Sequence, residues 1–510
     1  MTDLLKALAE LSSEQHQLLN LIFGAEGLDA WQLPIPPRSR NLQSIPLSFA
    51  QQRLWFLNEL EPGDPAYVIS TCVEIEGELN VEHLGACFNQ IIARHEALRT
   101  TFSTVEGQPV QMIHPTLDLR LPLIDLRQMP QTAEGRRQQR RQVEAAAREE
   151  AQQGFDLRSG PLLRARLLVL GEKSYVLLLS MHHIVSDGWS IGVLIREMGE
   201  LYEAQRRGRP AQLPELAVQY GDYAVWQRAW LTPERLLRLV SYWREELAGA
   251  PAEIELPVDR GRAGAPSRRG GTEEVWLGET IKQGLEELGR QEGATLYMVL
   301  MAAYKVLLMR YSGQADIVVG TPIANRNRRE VEGLIGFFVN TLVMRTRMEE
   351  GWSFRELLRK EKEVALGAYE HQELPFEKLV EELRPERTLS DSPLFQTVFV
   401  LQNGDTEELK LEGLKLTTRP VSNGTSKFDL MLIVVETQND LIGMMEYRTD
   451  LFDGSTIRWI LETLKSLLEE VASNPDVNLL DIPIKNESAV ETANYHSNFW
   501  SFYQSDEFTF

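Results

Sequence analysis

Met181-His182-His183-Ile184-Val185-Ser186-Asp187-Gly188-Trp189-Ser190 is the stretch on which the reading of this chain turns. The apolar segment Ser174-Tyr-Val-Leu-Leu-Leu-Ser-Met181 has the composition of a buried strand, and it runs straight into two histidines. A short turn with Asp187 and Gly188 follows. A helical pattern then starts at Ser190 and runs to Arg206, where Arg207-Gly208-Arg209-Pro210 stops it. Strand side chains alternate faces, so His182 and His183 cannot both address one cavity. One is expected to be the chemical residue and the other to pack behind it. Asp187 can orient backbone or accept an ion pair, and Gly188 permits a close backbone approach. A single histidine near a strand end is usually structural; two of them before an Asp-Gly turn weigh against that reading.

Outward from this stretch, strand-like and helix-like segments alternate. Leu162–Leu170 reads as a strand, joined by the turn Gly171-Glu172-Lys173 to the apolar one. Tyr67–Ile75 reads as a strand and Val81–Ala97 as an amphipathic helix. Beyond Pro210, Tyr220–Leu247 looks helical and Pro257–Gly271 looks like a flexible link. Thr295 caps an expected helix to Tyr311, with Gly313 at its end. Strands are expected at Ile317–Gly320, Gln396–Gln402, Phe428–Glu436 and Leu441–Tyr447, and a last helix at Ser455–Val471. Mixed elements in both halves imply an α/β chain of two similar lobes, residues 45–212 and 213–480. Residues 1–44 supply an amphipathic helix, Leu4–Phe23, and a connector whose prolines at 34, 36 and 37 favour an extended tether. Residues 481–510 form a tail whose last 16 residues hold seven aromatics without periodicity, either a docking peptide or a disordered end.

Composition removes several classes of function. The chain has 510 residues with 43% hydrophobic and 25% charged, so wholesale disorder is excluded. Lys and Arg number 53 against 74 Asp and Glu, a net charge of −21. A field of that sign repels nucleic acid and anionic membrane. The basic run Arg136–Arg141 is followed on the same expected helix by Glu144, Arg148, Glu149 and Glu150, which suits a solvated face. No apolar run approaches the roughly 18 residues of a bilayer span, and the start has no secretory h-region. Two cysteines, Cys72 and Cys87, are too few for a disulfide scaffold or a cysteine metal cage. A cytoplasmic protein is expected.

A competing motif overlaps the key stretch. Gly188-Trp189-Ser190-Ile191-Gly192 fits G-x-S-x-G, the nucleophile elbow of α/β-hydrolases, with Glu332 and His371 as downstream partners. Five positions with three small residues recur by chance, and Ser190 serves equally as a residue of the helix start.

The residues resemble a known family. Met181–Ser190 is similar to the HHxxxDG core of condensation domains of nonribosomal peptide synthetases and related acyltransferases. Further segments match in the family's order from about residue 45 to 475. Leu47–Leu57 (LSFAQQRLWFL) resembles the first motif, Arg94–Thr100 (RHEALRT) the second and Tyr220–Tyr223 (YGDY) the fourth. Ile335–Thr341 (IGFFVNT) resembles the fifth, His371–Phe376 (HQELPF) the sixth and Ser392–Gln396 (SPLFQ) the last. The resemblance implies two chloramphenicol acetyltransferase-like lobes in a V with a substrate tunnel between them. It implies formation of an amide between a carrier-bound donor thioester and the amine of a carrier-bound acceptor. No cofactor of its own is implied; substrates hang on the phosphopantetheine arms of donor and acceptor carrier proteins. Neighbouring synthetase modules are the other expected partners, with no nucleic acid and no membrane, and a monomer is expected.

By this resemblance His183 is the catalytic base or the donor that positions the adduct, two roles the sequence leaves open, and His182 supports it. Asp187 forms a structural salt bridge, with Arg326 as its expected partner and Arg328 and Arg329 close by in sequence. Gly188 offers a backbone N–H to the oxyanion, and Trp189, Ser190 and Asn340 contact substrate. His95, His371 and Arg53 lie in matched motifs and are read as packing residues. The SFAQQRLWFL and HHIVSDGWS forms resemble members taking an L-configured donor, rather than epimerisation or heterocyclisation relatives. Two alternatives stay open: an O- or N-acyltransferase using a soluble acceptor or coenzyme A thioester, and a non-catalytic recruitment platform. No G-G-x-S-like carrier attachment site is visible, so the chain is expected neither to carry nor to activate its own substrates.

Overall fold

The structure is a computed structural model that describes residues 34–39, 44–129, 132–261, 267–384, 393–403 and 413–483. The expected helix Leu4–Phe23, Ser392 and the aromatic tail lie outside the described residues. By its contacts the chain divides into two compact units. The first comprises Met1–Arg238, Ala324–Asn340 and Thr406–Asn423; the second comprises Leu239–Ile323, Thr341–Asp405 and Gly424–Phe510. The division is therefore interleaved rather than a single linear cut at 212/213. Two excursions of the later chain, one of them carrying Arg326, pack with the first unit.

The first unit is built on a five-stranded sheet in the spatial order Leu414–Val421, Val68–Gly77, Ser174–His182, Leu163–Val169, Leu123–Asp125. The strand that carries the histidines lies in the middle, antiparallel to both neighbours, with His182 opposite Val68 and Met181 opposite Leu163. Leu177, Leu179 and Met181 join a core with the helices Val81–Arg94 and Gly188–Arg206. Val176 and Leu178 face the other way, onto Val143 and Ala147 of the helix Ala133–Gln152. Covered on both faces, the strand has no solvated side to keep polar. That is why its sequence is a nearly unbroken apolar run rather than an alternating one.

The second unit carries a six-stranded mixed sheet in the order Asn340–Arg347, Asp316–Ile323, Thr397–Asn403, Leu430–Glu436, Leu441–Arg448, Gly270–Trp276. Its central helix, Leu296–Ser312, is capped by the Thr295 hydroxyl, which accepts from the Met298 N–H, and is closed by Gly313 in the left-handed region at φ 69°. The helix is apolar on nearly every face because it is buried on nearly every face, with Val299, Met301, Tyr304 and Val306 at 0% exposure and Lys305 the charged residue buried among them. No single helix among the described residues is long and apolar enough to cross a membrane.

Two local expectations change. Tyr220–Leu247 is not one helix but two, Tyr220–Trp230 and Pro233–Glu246. Pro233 has no N–H to continue the first and disfavours helical backbone at Thr232, but it suits the opening of the second. The Pro-rich connector, expected as an extended tether, packs onto the core: Ile35 is 1% exposed and lies in a cluster with Leu47, Trp55 and Phe338.

Candidate active site

The site begins where the central strand runs out. His182 is the last strand residue, and His183–Val185 turn at once into a 3-10 helix. The two histidines diverge as strand alternation requires. His182 is buried at 3% exposure; its Nδ1 accepts the Ile184 N–H at 3.0 Å, and Phe155 meets its ring edge-on at 6.1 Å. His183 is partly exposed, with its ring 5.5 Å from that of Phe337. Its Nδ1 lies 3.2 Å from the Ser186 carbonyl. A carbonyl oxygen can only accept, so the neutral ring carries its proton on Nδ1, and the basic lone pair is on Nε2. Gln51, in the first matched motif, braces the same turn through Nε2 to the Ile184 carbonyl at 3.0 Å.

Asp187 follows, 0% exposed, as the N-cap of the helix Gly188–Arg206. Its Oδ1 accepts the Ser190 N–H at 2.8 Å, the usual satisfaction of an orphan first-turn donor. The helix thus starts two residues before the Ser190 start read from the sequence. Oδ1 also accepts from the Ser190 hydroxyl at 2.7 Å and from Arg326 Nη2 at 3.0 Å. Oδ2 accepts from Arg326 Nη2 at 3.2 Å and from the Phe338 N–H at 3.1 Å. The expected arginine partner of Asp187 is therefore Arg326, which is fully buried with it. Arg328 instead pairs with Glu330.

Arg326 ties the carboxylate to its own chain segment. Nη1 donates to the Val331 and Leu334 carbonyls, each at 2.7 Å, and the guanidinium lies 4.2 Å over the Phe338 ring. Burial pulls its pKa down and Asp187 opposes that pull. Removing a charge from water is costly, and the cost is offset here by a nearly complete set of partners; only Nε finds none among the described residues.

Ser190 is not an exposed nucleophile. It is 0% exposed, and its hydroxyl gives its proton to Asp187 or to the Gly336 carbonyl at 2.9 Å while accepting from the Gly336 N–H and Arg326. His371, in the second unit, stacks on Tyr242 and bonds the Gly367 carbonyl through Nδ1. The hydrolase elbow finds no support in this geometry. Gly188 opens the helix, exposed, with nothing within 4 Å of where a Cβ would stand. Trp189 is 48% exposed and donates Nε1–H to the Glu332 carbonyl at 2.8 Å. Asn340 is buried at the head of its strand.

The segment 335–338, which no local pattern marks as part of the site, is a structural member of it. Its backbone is fastened at four consecutive residues. The Ile335 N–H reaches His95 Nδ1 at 3.3 Å, Gly336 binds Ser190, Phe337 accepts from the Tyr220 hydroxyl at 2.5 Å and Phe338 binds Asp187. A Cβ on Gly336 would meet the Tyr220 ring at 2.1 Å, so only glycine lets the two pass. His95 is a packing residue in this geometry, its Nε2 held by Glu197 at 2.8 Å. The signal was available in the IGFFVNT motif, but nothing in one sequence says that it lies against residues 150 positions earlier.

Among the described residues no group of His, Cys, Asp or Glu side chains is disposed to hold a metal ion. Cys72 and Cys87 are buried free thiols, and burial pushes both up to about 12.

Comparison with known proteins places the chain in a family. A family model described as "Condensation domain" matches residues 41–491. Malpibaldin synthetase of Mortierella alpina is 43% identical over 440 residues, covering 86% of this chain and 8% of the relative. Phosphinothricin tripeptide synthetase PhsC of Streptomyces viridochromogenes is 41% identical over 491 residues, covering 95% of this chain and 44% of the relative. The chain thus spans less than half the length of these relatives. Among solved structures, the X-domain from teicoplanin biosynthesis superposes with a TM-score of 0.79 at 30% identity, covering 88% of this chain and 99% of that one.

Proposed function

The chain belongs to the condensation-domain family, amide-forming enzymes of nonribosomal peptide assembly, and from that premise we propose how its own residues serve the reaction. The acceptor amine attacks the carbonyl carbon of the donor thioester. The C–N bond forms, the carbonyl oxygen becomes an oxyanion, and the nitrogen sheds a proton. When the adduct collapses, the C–S bond breaks and the departing thiolate takes that proton back. A thioester is already activated, so the enzyme's tasks are to orient the two ends, to accept the proton and to favour the oxyanion.

His183 takes the proton on Nε2. The observation that carries this is its Nδ1 contact with the Ser186 carbonyl, which fixes the tautomer and aims the ring. Help of this kind contributes on the order of 10²–10⁴-fold. The Gly188 N–H belongs to the first helical turn, where backbone donors have no intrahelical partner, and it is the proposed donor to the oxyanion. Trp189 and Asn340 are the proposed substrate contacts. Ser190, buried and bound to Asp187 and Arg326, acts behind the site as a bracket instead. His182 and the Asp187–Arg326 pair hold the turn that presents His183.

Donor and acceptor arrive on phosphopantetheine arms of separate carrier proteins, supplied by adjoining synthetase modules, and the chain works as a monomer in the cytoplasm on an L-configured donor. The test is intact-mass analysis of two aminoacyl-loaded carrier proteins mixed with the protein. A dipeptidyl mass on the acceptor carrier is expected. Acylation of a small soluble amine or alcohol with no dipeptidyl carrier would make it an acyltransferase of another kind. No acyl transfer with a pair that a relative condenses would make it a platform.

A further inference from the structure

Residues 34–39 lie ahead of the family-matched span 41–491 and contain nothing that reads as chemistry. Yet Arg38 is buried at 6% side-chain exposure between two carboxylates. Its Nη1 donates to Asp222 Oδ1 at 2.6 Å and its Nη2 to Glu96 Oε2 at 2.7 Å, while its backbone N–H also reaches Asp222 at 3.1 Å. Three residues earlier the Ile35 side chain sits in the core, and its N–H donates to Glu330 Oε1 at 3.0 Å. A solvated linker does not surrender a guanidinium to the interior; burial of this kind is sustained only by a full set of partners.

Both anchors end on elements that shape the surroundings of His183. Asp222 lies in the first turn of the helix Tyr220–Trp230, where its other oxygen accepts the Gln219 N–H at 2.7 Å. That helix presents Tyr220, whose hydroxyl fixes the carbonyl of Phe337, the residue whose ring faces His183. Glu330 lies in the short helix Arg329–Glu332, whose Val331 carbonyl accepts from Arg326, the partner of Asp187. A Cβ on Gly221 would stand 3.2 Å from Arg38 Nη1, so the helix start is shaped to admit the guanidinium.

We propose that Ile35–Arg38 is a strap whose Arg38 is a positioning residue for the reaction, setting the Tyr220 helix and the 335–338 segment, and through Phe337 the ring of His183. This rests on the proposed role of His183. A displacement of the site by a fraction of an ångström through Phe337 changes the reach of the imidazole and so the rate per folded molecule, whereas a merely structural loss reduces only the number of folded molecules.

The experiment measures dipeptidyl-carrier formation, per folded molecule, for the full chain and for Arg38→Ala, Arg38→Lys and Gly221→Ala. Well below the unfolding temperature, Arg38→Ala is expected to lower kcat about tenfold or more, with KM for the carriers unchanged. Arg38→Lys, a single ammonium that cannot bridge both carboxylates, is expected to recover only part of the rate. Gly221→Ala crowds the guanidinium without removing it and is expected to lower kcat by less, again with KM unchanged. A kcat per folded molecule equal to that of wild type, or a fall in rate that comes through KM, in the variants that fold overturns the proposal. If Arg38→Ala does not fold, the other two decide it by the same criterion. If wild type itself makes no amide, the reading of the reaction fails instead, a distinct outcome.

Discussion

Each unit holds, among its described residues, an ion pair whose two side chains are almost wholly shut off from solvent, and the two pairs are wired differently. In the first unit Asp187 and Arg326 bond mostly to backbone: the N–H groups of Ser190 and Phe338 and the carbonyls of Val331 and Leu334. In the second, Lys305 and Glu361 meet at 2.8 Å with 0% exposure, and the hydroxyl of Thr346 bridges them at 2.8 Å to each. Glu361 Oε1 finds no partner among the described residues, and burial pulls the Lys305 pKa down. A pair bonded to backbone dictates where chain segments lie. A pair bonded only to side chains holds neighbouring elements together and could be replaced by apolar packing. The comparison separates positioning from cohesion, and each half can be broken.

The largest effects are expected from removing one charge. Asp187→Ala and Glu361→Ala should each cost about 3–5 kcal/mol in urea unfolding, since each leaves its partner buried and uncompensated. Activity distinguishes them. Asp187→Ala should abolish amide formation even in the fraction that stays folded, while Glu361→Ala should keep the wild-type rate per folded molecule. Equal losses of specific activity would erase the distinction. A smaller cost is expected from the bridging hydroxyls. Ser190→Ala and Thr346→Val should each lose about 1–3 kcal/mol, but only Ser190→Ala should also lower the rate, because it frees Gly336. The least cost is expected from Lys305→Met combined with Glu361→Leu. Replacing both charges should leave stability unchanged or raise it by about 1–4 kcal/mol, against the loss in either single variant. A double variant as unstable as Glu361→Ala would mean that the pair specifies the second unit's packing.

The sequence made the central strand, its two histidines and the turn to the helix legible, because a strand buried on both faces must be apolar throughout and an Asp-Gly turn has few conformations. Thr295 and Gly313 bounded their helix for similarly local reasons. What stayed hidden depends on distance along the chain. The passage of residues 324–340 and 413–423 into the first unit leaves no trace in periodicity or composition. Arg326 could be named as a partner for Asp187 only through resemblance, and Gly336, Tyr220 and Phe337 had no signal that joined them. Arg38 carries no signal of its own: three nearby prolines describe an extended backbone, and extended backbone is as able to dock as to dangle.

The most direct test of the account is the single-turnover rate of dipeptidyl-carrier formation by His183→Ala beside wild type, with urea midpoints measured on the same samples. His183 is partly exposed and bonded through Nδ1 to a local carbonyl, so its removal should leave the midpoint nearly unchanged while the rate falls by about 10²–10⁴-fold. A folded His183→Ala protein that makes the dipeptide within a few-fold of the wild-type rate would contradict the account.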